Sequence, residues 1–514
     1  MRTRTLFLVA IAALSIPWII SSFSPGTVGM YADPRHVLFQ GDSDVYDCIW
    51  HFSHVRSCID NGRDPRLYGE RTLGWNNMGW PDLFLASVFH WGYDASLVFG
   101  TLFTALAGYV FARSWGLGRN GAIIASLVLA WMPVRTIRLY QHYPVASAGY
   151  VLISLGMIRR ALVKPGRINL TAGFVFSALA VAESLQHGLT IGLGWLVTIA
   201  LTSGKNIRRV FLSALVPAAG CIAGALWLFT SPGLTGTDPG KEWQEAVFWG
   251  AELQSYFIPS VLGQPVVTDY MPNPFEGVVT PGVVVMLLGI AWCLRNRNWK
   301  AALSAFFVMV LSVGPLFKFM GVPTPLPLPY MIIAKTPWLS AARAPARLGI
   351  VVGFMAALGA GAVIEKKGRT AGWIFTCLIL MEITPLFLQK IDNRVPLFYN
   401  EVPAVRLRLE IPASSAIRRY SLLEATDGVP RRVKFFARGG EDMMQGIPEG
   451  LGWNPLEAPS RSDLIATGAS QVIYNRWMFP CDERAFYDSL YASIFKEAEK
   501  CDSLWIWSGD ENGS

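Results

Sequence analysis

The sequence predicts an all-α polytopic membrane protein of about eleven transmembrane helices, followed by a small C-terminal α/β extracytoplasmic domain. Three observations predict it. The chain is 52% hydrophobic and only 16% charged, against roughly 25% charged in soluble domains. Apolar stretches approaching the roughly 17–25 residues that cross a hydrocarbon core recur down to residue 388. Lys and Arg fall on alternate connections, which is the signature of cytoplasmic loops.

The stretches run over 6–23, 93–112, 121–134, 145–158, 171–185, 189–203, 210–230, 278–294, 301–317, 348–364 and 371–388. Those at 121 and 145 are short and draw on flanking residues. The first is apolar for too long, and lacks a small-residue cleavage site, to be a removed signal peptide, so it reads as a retained helix. Arg2 and Arg4, Arg113 and Arg119, Arg159, Arg160, Lys164 and Arg167, Lys205, Arg208 and Arg209, Arg295, Arg297 and Lys300, and Lys366, Lys367 and Arg369 all share one side. An N-terminus in the cytoplasm and a C-terminus outside the plasma (inner) membrane follow. The long segments, 24–92, 231–277, 318–347 and the tail from 390, share the outer side, and so the chemistry is expected there.

From Val395 onward the tail holds 13 basic against 17 acidic residues, a net of −4, so the membrane part carries about +12 of the total +8. Topology explains the basic balance, and no nucleic-acid motif accompanies it. Within 390–514 the run 466–474 is strand-like and 485–498 helix-like, the alternation of a small α/β domain. Cys481 and Cys501 flank the helix-like run and are placed to pair in an oxidising compartment. Cys48 and Cys58, if on one helix, stand about 15 Å apart in rise and are too distant to bond.

The first outer loop, 24–92, opens with GDSDVYDCIWHFSHVRS at 41–57. Read as a helix over about 44–60, Val45, Cys48, Ile49, Phe52, Val55 and Ile59 share one arc, and Asp44, Asp47, His51 and His54 another. The helix is too short and polar to span, so it is expected to lie flat in the outer interface with its acids and imidazoles at headgroup depth. A subset of Asp47, His51 and His54 with the neighbouring acids has the spacing to hold a divalent cation, Mg²⁺ or Mn²⁺. A polar stripe facing water is the other reading, and both stand. Asp42 likewise reads as an N-cap or as a catalytic base.

A general base that activates a hydroxyl requires a positioned carboxylate. A departing lipid phosphate requires cations, Arg best of all. Arg343 and Arg347 stand four apart on the side where the charge rule disfavours them, in a loop that also holds Lys318, Lys335 and the proline-stiffened GVPTPLPLP at 321–329. Phosphate binding is one reason for them; snorkelling onto anionic headgroups is the other. Arg135 and Arg138, with His142 close by, compete for the same role at the outer end of the third stretch. Glu276 and Asp269 are outer carboxylates able to orient an acceptor or a metal, a solvated loop acid being the other reading, and Glu183 and His187 end the fifth stretch, where ionisable groups are functional candidates.

Gly41-Asp42 after the first span, NGRDPRLYGERTLGWNNMGWPDLF at 61–84, AGYVFARSWGLGRNGAIIASLVLAWMP at 107–133, PFEGVVTPG at 274–282 and GVPTPLPLPYMIIAKTPWLSAARAPARLG at 321–349 carry an ordered resemblance. Together they resemble YfhO-like membrane proteins, a group similar to the GT-C superfamily of integral membrane glycosyltransferases. The resemblance implies a GT-C-like domain over 1–389, a catalytic Asp in the first outer loop matching Asp42, an interfacial helix in that loop, a lipid-phosphate site matching Arg343 and Arg347, and a loop histidine matching His142. Where the group has an apolar or amidic residue after Gly-Asp, this chain has Ser43 and Asp44, which leaves Asp42 and Asp44 both open as the base.

The expected function is inverting transfer of a sugar from a polyprenyl-phosphate-linked donor to an extracytoplasmic acceptor, whether glycan, lipid or protein, in contact with membrane lipids and without nucleic acid. A transporter or flippase of lipid-linked saccharide and a non-catalytic membrane assembly protein are the alternatives.

Overall fold

A computed structural model describes residues 3–23, 79–89, 93–139, 142–202, 206–229, 243–266, 276–336 and 344–385, with short pieces within 55–72, 408–411, 471–474, 485–492 and 499–508. The chain divides into two compact units, Met1–Ser24 with Val55–Gln389, and Pro25–His54 with Lys390–Ser514.

The described part of the first unit is mostly helical. Its helices are α1 (Thr3–Phe23), α2 (Trp80–Val88), α3 (Tyr93–Ser114), α4 (Arg119–Trp131), α5 (Pro133–Leu139), α6 (Tyr143–Ala146), α7 (Gly149–Val163) and α8 (Arg167–Glu183). They continue as α9 (Leu185–Leu201), α10 (Ile207–Phe229), α11 (Trp243–Phe248), α12 (Val283–Arg295), α13 (Trp299–Val313), α14 (Tyr330–Lys335), α15 (Ile350–Lys366) and α16 (Arg369–Ile383). Among the described residues, five helical segments are long and apolar enough to cross a membrane: Thr3–Ile20, Ser96–Ser114, Tyr143–Val163, Ile207–Leu228 and Pro345–Lys366. The bent pair α4–α5 makes a sixth if it counts as one span, and α9, α12 and α13 are shorter apolar helices. The protein is thus a helical protein with membrane-spanning segments.

Surface composition agrees with a lipid environment. On α10, Phe211, Leu215, Ile222 and Leu226 are all more than half exposed, a large apolar stripe that water would not tolerate on a monomer. Its other face meets α8 through Gly220 and Gly224, a small-xxx-small spacing that lets backbones approach where lipid gives no hydrophobic drive. A Cβ at Gly220 would stand 2.3 Å from the Phe174 carbonyl oxygen, and one at Gly224 would stand 2.4 Å from that of Ala178. Gly224→Val should therefore push the helices apart and cost about 1–3 kcal/mol, read as a lowered thermal midpoint of the detergent-purified protein.

The loop expected to be stiffened by prolines is a hairpin. Strands Leu316–Phe319 and Val322–Pro327 pair antiparallel, Lys318 opposite Pro323 and Leu316 opposite Pro327. Proline donates no N–H to a ladder, and a two-stranded sheet has only edge strands, where that loss is tolerated. Val55 is buried and Ile59 exposed; the rest of the 44–60 stretch is described only at Cys58 and Asp60.

In the second unit four strands form one sheet. Gln471–Tyr474 pairs parallel with Arg408–Ile411 and antiparallel with Trp505–Ser508, which also pairs with Glu499–Lys500. Residues 471–474 close the strand-like run 466–474, and Cys481 and Cys501 lie outside the described residues.

Candidate functional site

The site begins at a break between helices. Pro133 disfavours helical geometry in the residue before it, and Met132 accordingly takes φ −55° and ψ 136°. Pro133 then starts the next helix, where its missing N–H costs nothing, and α5 leaves α4 at 42°. The stretch 121–134, read from sequence as one span, is therefore bent near its C-terminal end. The bend turns the backbone so that Arg135 and Arg138 reach different neighbours.

Arg135 is fully buried. Its Nε donates to the Ala146 carbonyl at 2.7 Å, its Nη1 to that of Ala130 at 2.5 Å, and its Nη2 meets Thr101 Oγ1 at 3.4 Å. These bonds tie α5 to α6, α4 and α3.

Arg138 turns instead to Glu276. Its Nε donates to Glu276 Oε2 at 3.2 Å and its Nη2 to the Glu276 carbonyl at 2.7 Å, while Nη1 bonds the carbonyls of Val278 at 3.1 Å and Val134 at 2.5 Å. Arg347, on the 3₁₀ turn Pro345–Gly349 that opens α15, donates from Nε to Glu276 Oε1 at 2.9 Å and also from Nη2 to the same oxygen. His142 Nε2 stands 3.0 Å from that oxygen as well. Gln186 completes the shell: its Oε1 accepts from Arg347 Nη1 at 3.3 Å while its Nε2 donates to the Ala344 carbonyl at 2.8 Å.

Glu276 is 1% exposed. Burial alone would push its carboxyl pKa up, but the guanidiniums of Arg347 and Arg138 and the nearby His142 hold it well below the usual carboxylate range. Both oxygens are engaged, so the carboxylate has little capacity left to accept from a substrate. Two guanidiniums against one carboxylate leave the cluster with surplus positive charge. Beneath it, Ile137 packs against the buried pair Ile258 and Val278. A narrow cavity of about 10 Å³ adjoins the cluster, walled by Arg135, Arg138, Gln186, His187 and Arg347, and takes about one water.

His187 is buried, with Nδ1 3.1 Å from the Ala180 carbonyl and Nε2 3.3 Å from that of Val145. Lys318, 2% exposed, donates to the carbonyls of Gly250 at 2.5 Å and Val247 at 2.8 Å, tying its hairpin to the end of α11. Burial brings its amine down to about 8, with Glu252 acting in the opposite direction.

The structure thus brings together Arg138, His142, Glu276 and Arg347, and sets Arg135 across the same cavity. Asp42, Asp44, Asp47, His51, His54, Asp269 and Arg343 lie outside the described residues. Among the described residues, no three His, Cys, Asp or Glu side chains gather as a metal site. Sequence reasoning passed over Gln186, whose amide gives no signal inside an apolar helix, and Asp82, whose signal was a lone carboxylate within the apolar run WPDLF. No family model matches the chain, and no curated protein matches it.

Proposed function

We propose that the protein is an eleven-span GT-C-like glycosyltransferase of the plasma (inner) membrane, with a cytoplasmic N-terminus and a C-terminal extracytoplasmic α/β domain, taking its sugar from a polyprenyl-phosphate donor. The observation that carries the reading is the convergence of Arg138, Arg347 and His142 on one buried carboxylate. Glu276 pre-orients two guanidiniums and leaves them with surplus positive charge, which suits a phosphate ester whose negative charge grows as it departs.

In this mechanism Asp42, or Asp44 in its place, takes the proton of the acceptor hydroxyl. The hydroxyl oxygen attacks the anomeric carbon from the face opposite the donor phosphate. The carbon–oxygen bond to phosphate breaks, and polyprenyl phosphate leaves with the electron pair, held by Arg347, with Arg343 and Arg138 adding charge and Arg135 lining the same cavity. Glu276 and His142 act through the arginines that they orient. Inversion at the anomeric carbon follows. A divalent cation at Asp47, His51 and His54 belongs to the same proposal and is read by adding chelator.

The Asp42→Asn, Asp44→Asn double variant should lose transfer while still binding polyprenyl-phosphate sugar, since the arginines are intact. Full transfer by that variant would remove the base and, with it, the mechanism.

One observation favours the second reading, a transporter or flippase of lipid-linked saccharide. Discontinuous helices with polar groups at the break are a transporter device, and α4 and α5 form such a broken pair with Arg135 and Arg138 just beyond it. Movement of a fluorescent lipid-linked saccharide across vesicles without cleavage would support that class.

A further inference from the structure

A second polar cluster lies apart from Glu276 and has no part in the transfer proposed above. Asp82 on α2 is 1% exposed. Its Oδ2 accepts from the Tyr143 hydroxyl and, at 3.1 Å, from Ser147 Oγ; its Oδ1 accepts from the Tyr150 hydroxyl at 2.7 Å. The Tyr143 oxygen also stands 3.3 Å from the Ser96 carbonyl.

Glu183, the last residue of α8, adjoins this group and is fully buried. Neither of its carboxylate oxygens has a hydrogen-bond partner. Gly79, in the left-handed conformation at φ 69°, leaves the space open: a Cβ there would stand 3.1 Å from Glu183 Oε1. Among the described residues no Lys, Arg or His forms an ion pair with either acid.

Two carboxylates out of water, with no cationic side chain on them among the described residues, are neutralised either by a proton or by a positive charge from elsewhere. We infer that Asp82 and Glu183 hold one hard divalent cation of the Ca²⁺ class. The ligand set is all oxygen, which selects hard ions over thiolate- and imidazole-seeking metals. A net of −2 is matched by a single divalent ion. The three hydroxyls that donate to Asp82 keep acceptor lone pairs of their own, so Tyr143, Ser147 and Tyr150 add neutral ligands to the carboxylates. Such an ion pins α2 to α8 and to the start of α6. Because Tyr143 follows His142 directly, it also fixes the residue that contacts Glu276.

The inference stands whether or not the protein transfers sugar, and its test uses no donor. Full-length protein in detergent, stripped with EGTA at pH 8, is titrated with Tb³⁺, whose emission Trp80, Tyr143 and Tyr150 are placed to sensitise. Wild type should give saturable emission that Ca²⁺ displaces, and Ca²⁺ alone should raise the thermal midpoint. Glu183→Gln, which removes an unpartnered charge and so should fold, is expected to weaken Tb³⁺ binding by at least ~10-fold and to abolish the Ca²⁺-dependent rise. Absence of sensitised emission in the wild type, together with a midpoint that ignores Ca²⁺, would mean that the pair is neutralised by a proton, and would overturn the inference. Equal Tb³⁺ affinity in wild type and Glu183→Gln would overturn it also, by placing the ion elsewhere.

Discussion

Replacing Glu276 by alanine is expected to lower stability by about 3–5 kcal/mol. The substitution strips the counter-charge from two guanidiniums, of which Arg138 is 4% exposed, and leaves them to repel one another where water cannot screen them. It also frees the 276–278 segment from α5, because Arg138 bonds the backbone carbonyls of Glu276 and Val278 only while it is drawn to this corner. The pH dependence has a definite sign. A carboxyl whose folded-state pKa lies below its unfolded value near 4.5 stabilises the fold fully above 4.5 and loses that contribution as pH falls through the folded value. Stability attributable to Glu276 should thus be flat through neutrality and decline only in acid, and the alanine variant should lack that acid limb. Thermal unfolding of both proteins between pH 3 and 8 checks it, and a loss under about 1 kcal/mol, the size of a solvent-exposed pair, would mean that water reaches the cluster.

Arg347→Ala carries the second large effect, and it falls on activity. Arg138 and His142 still meet Glu276 in that variant, so the fold should survive with a modest drop in midpoint. On the transferase reading, however, the donor phosphate loses the guanidinium that Glu276 and Gln186 both hold. Transfer should fall by about 10²–10³-fold, the usual cost of one charge-stabilising donor. Lys in this position keeps the charge but not the planar fork that bonds both partners. Arg347→Lys should therefore recover only part of the rate, with the larger defect in kcat. Initial rates at saturating donor distinguish this from simple loss of binding, and a fully active Arg347→Ala would remove the phosphate role.

Much of the helical layout was legible because apolar length and basic loops are one-dimensional signals. Each of the eleven stretches coincides with a helix or a helix pair, with ends shifted by a few residues. The break at Met132 was written in Pro133, yet the apolar run continued past it and masked it. Arg347 drew notice as a cation in a connection that the alternation of basic loops assigns to the outer side. Its partnership with Glu276 did not, because the two are 71 residues apart, and Arg138 and Glu276 are 138 apart. No spacing rule reaches over such distances; the convergence exists only once α5, α15 and the 276–280 segment are packed. The pairing of Asp82 with Glu183 was hidden for the same reason: Glu183 drew notice alone at the end of the fifth stretch, and Asp82 was a lone acid within WPDLF, until Tyr143 and Tyr150 are folded over Asp82.

The most direct test of the central claim is consumption of donor. Purified full-length protein is incubated with a panel of polyprenyl-phosphate sugars and candidate acceptors, with and without chelator, and free polyprenyl phosphate is measured. Release of polyprenyl phosphate from at least one donor, matched by sugar of inverted configuration on an acceptor and lost in Arg347→Ala, is the predicted result. Donor left intact across the panel by a folded protein that still binds it, or moves it between leaflets, would contradict the transferase reading.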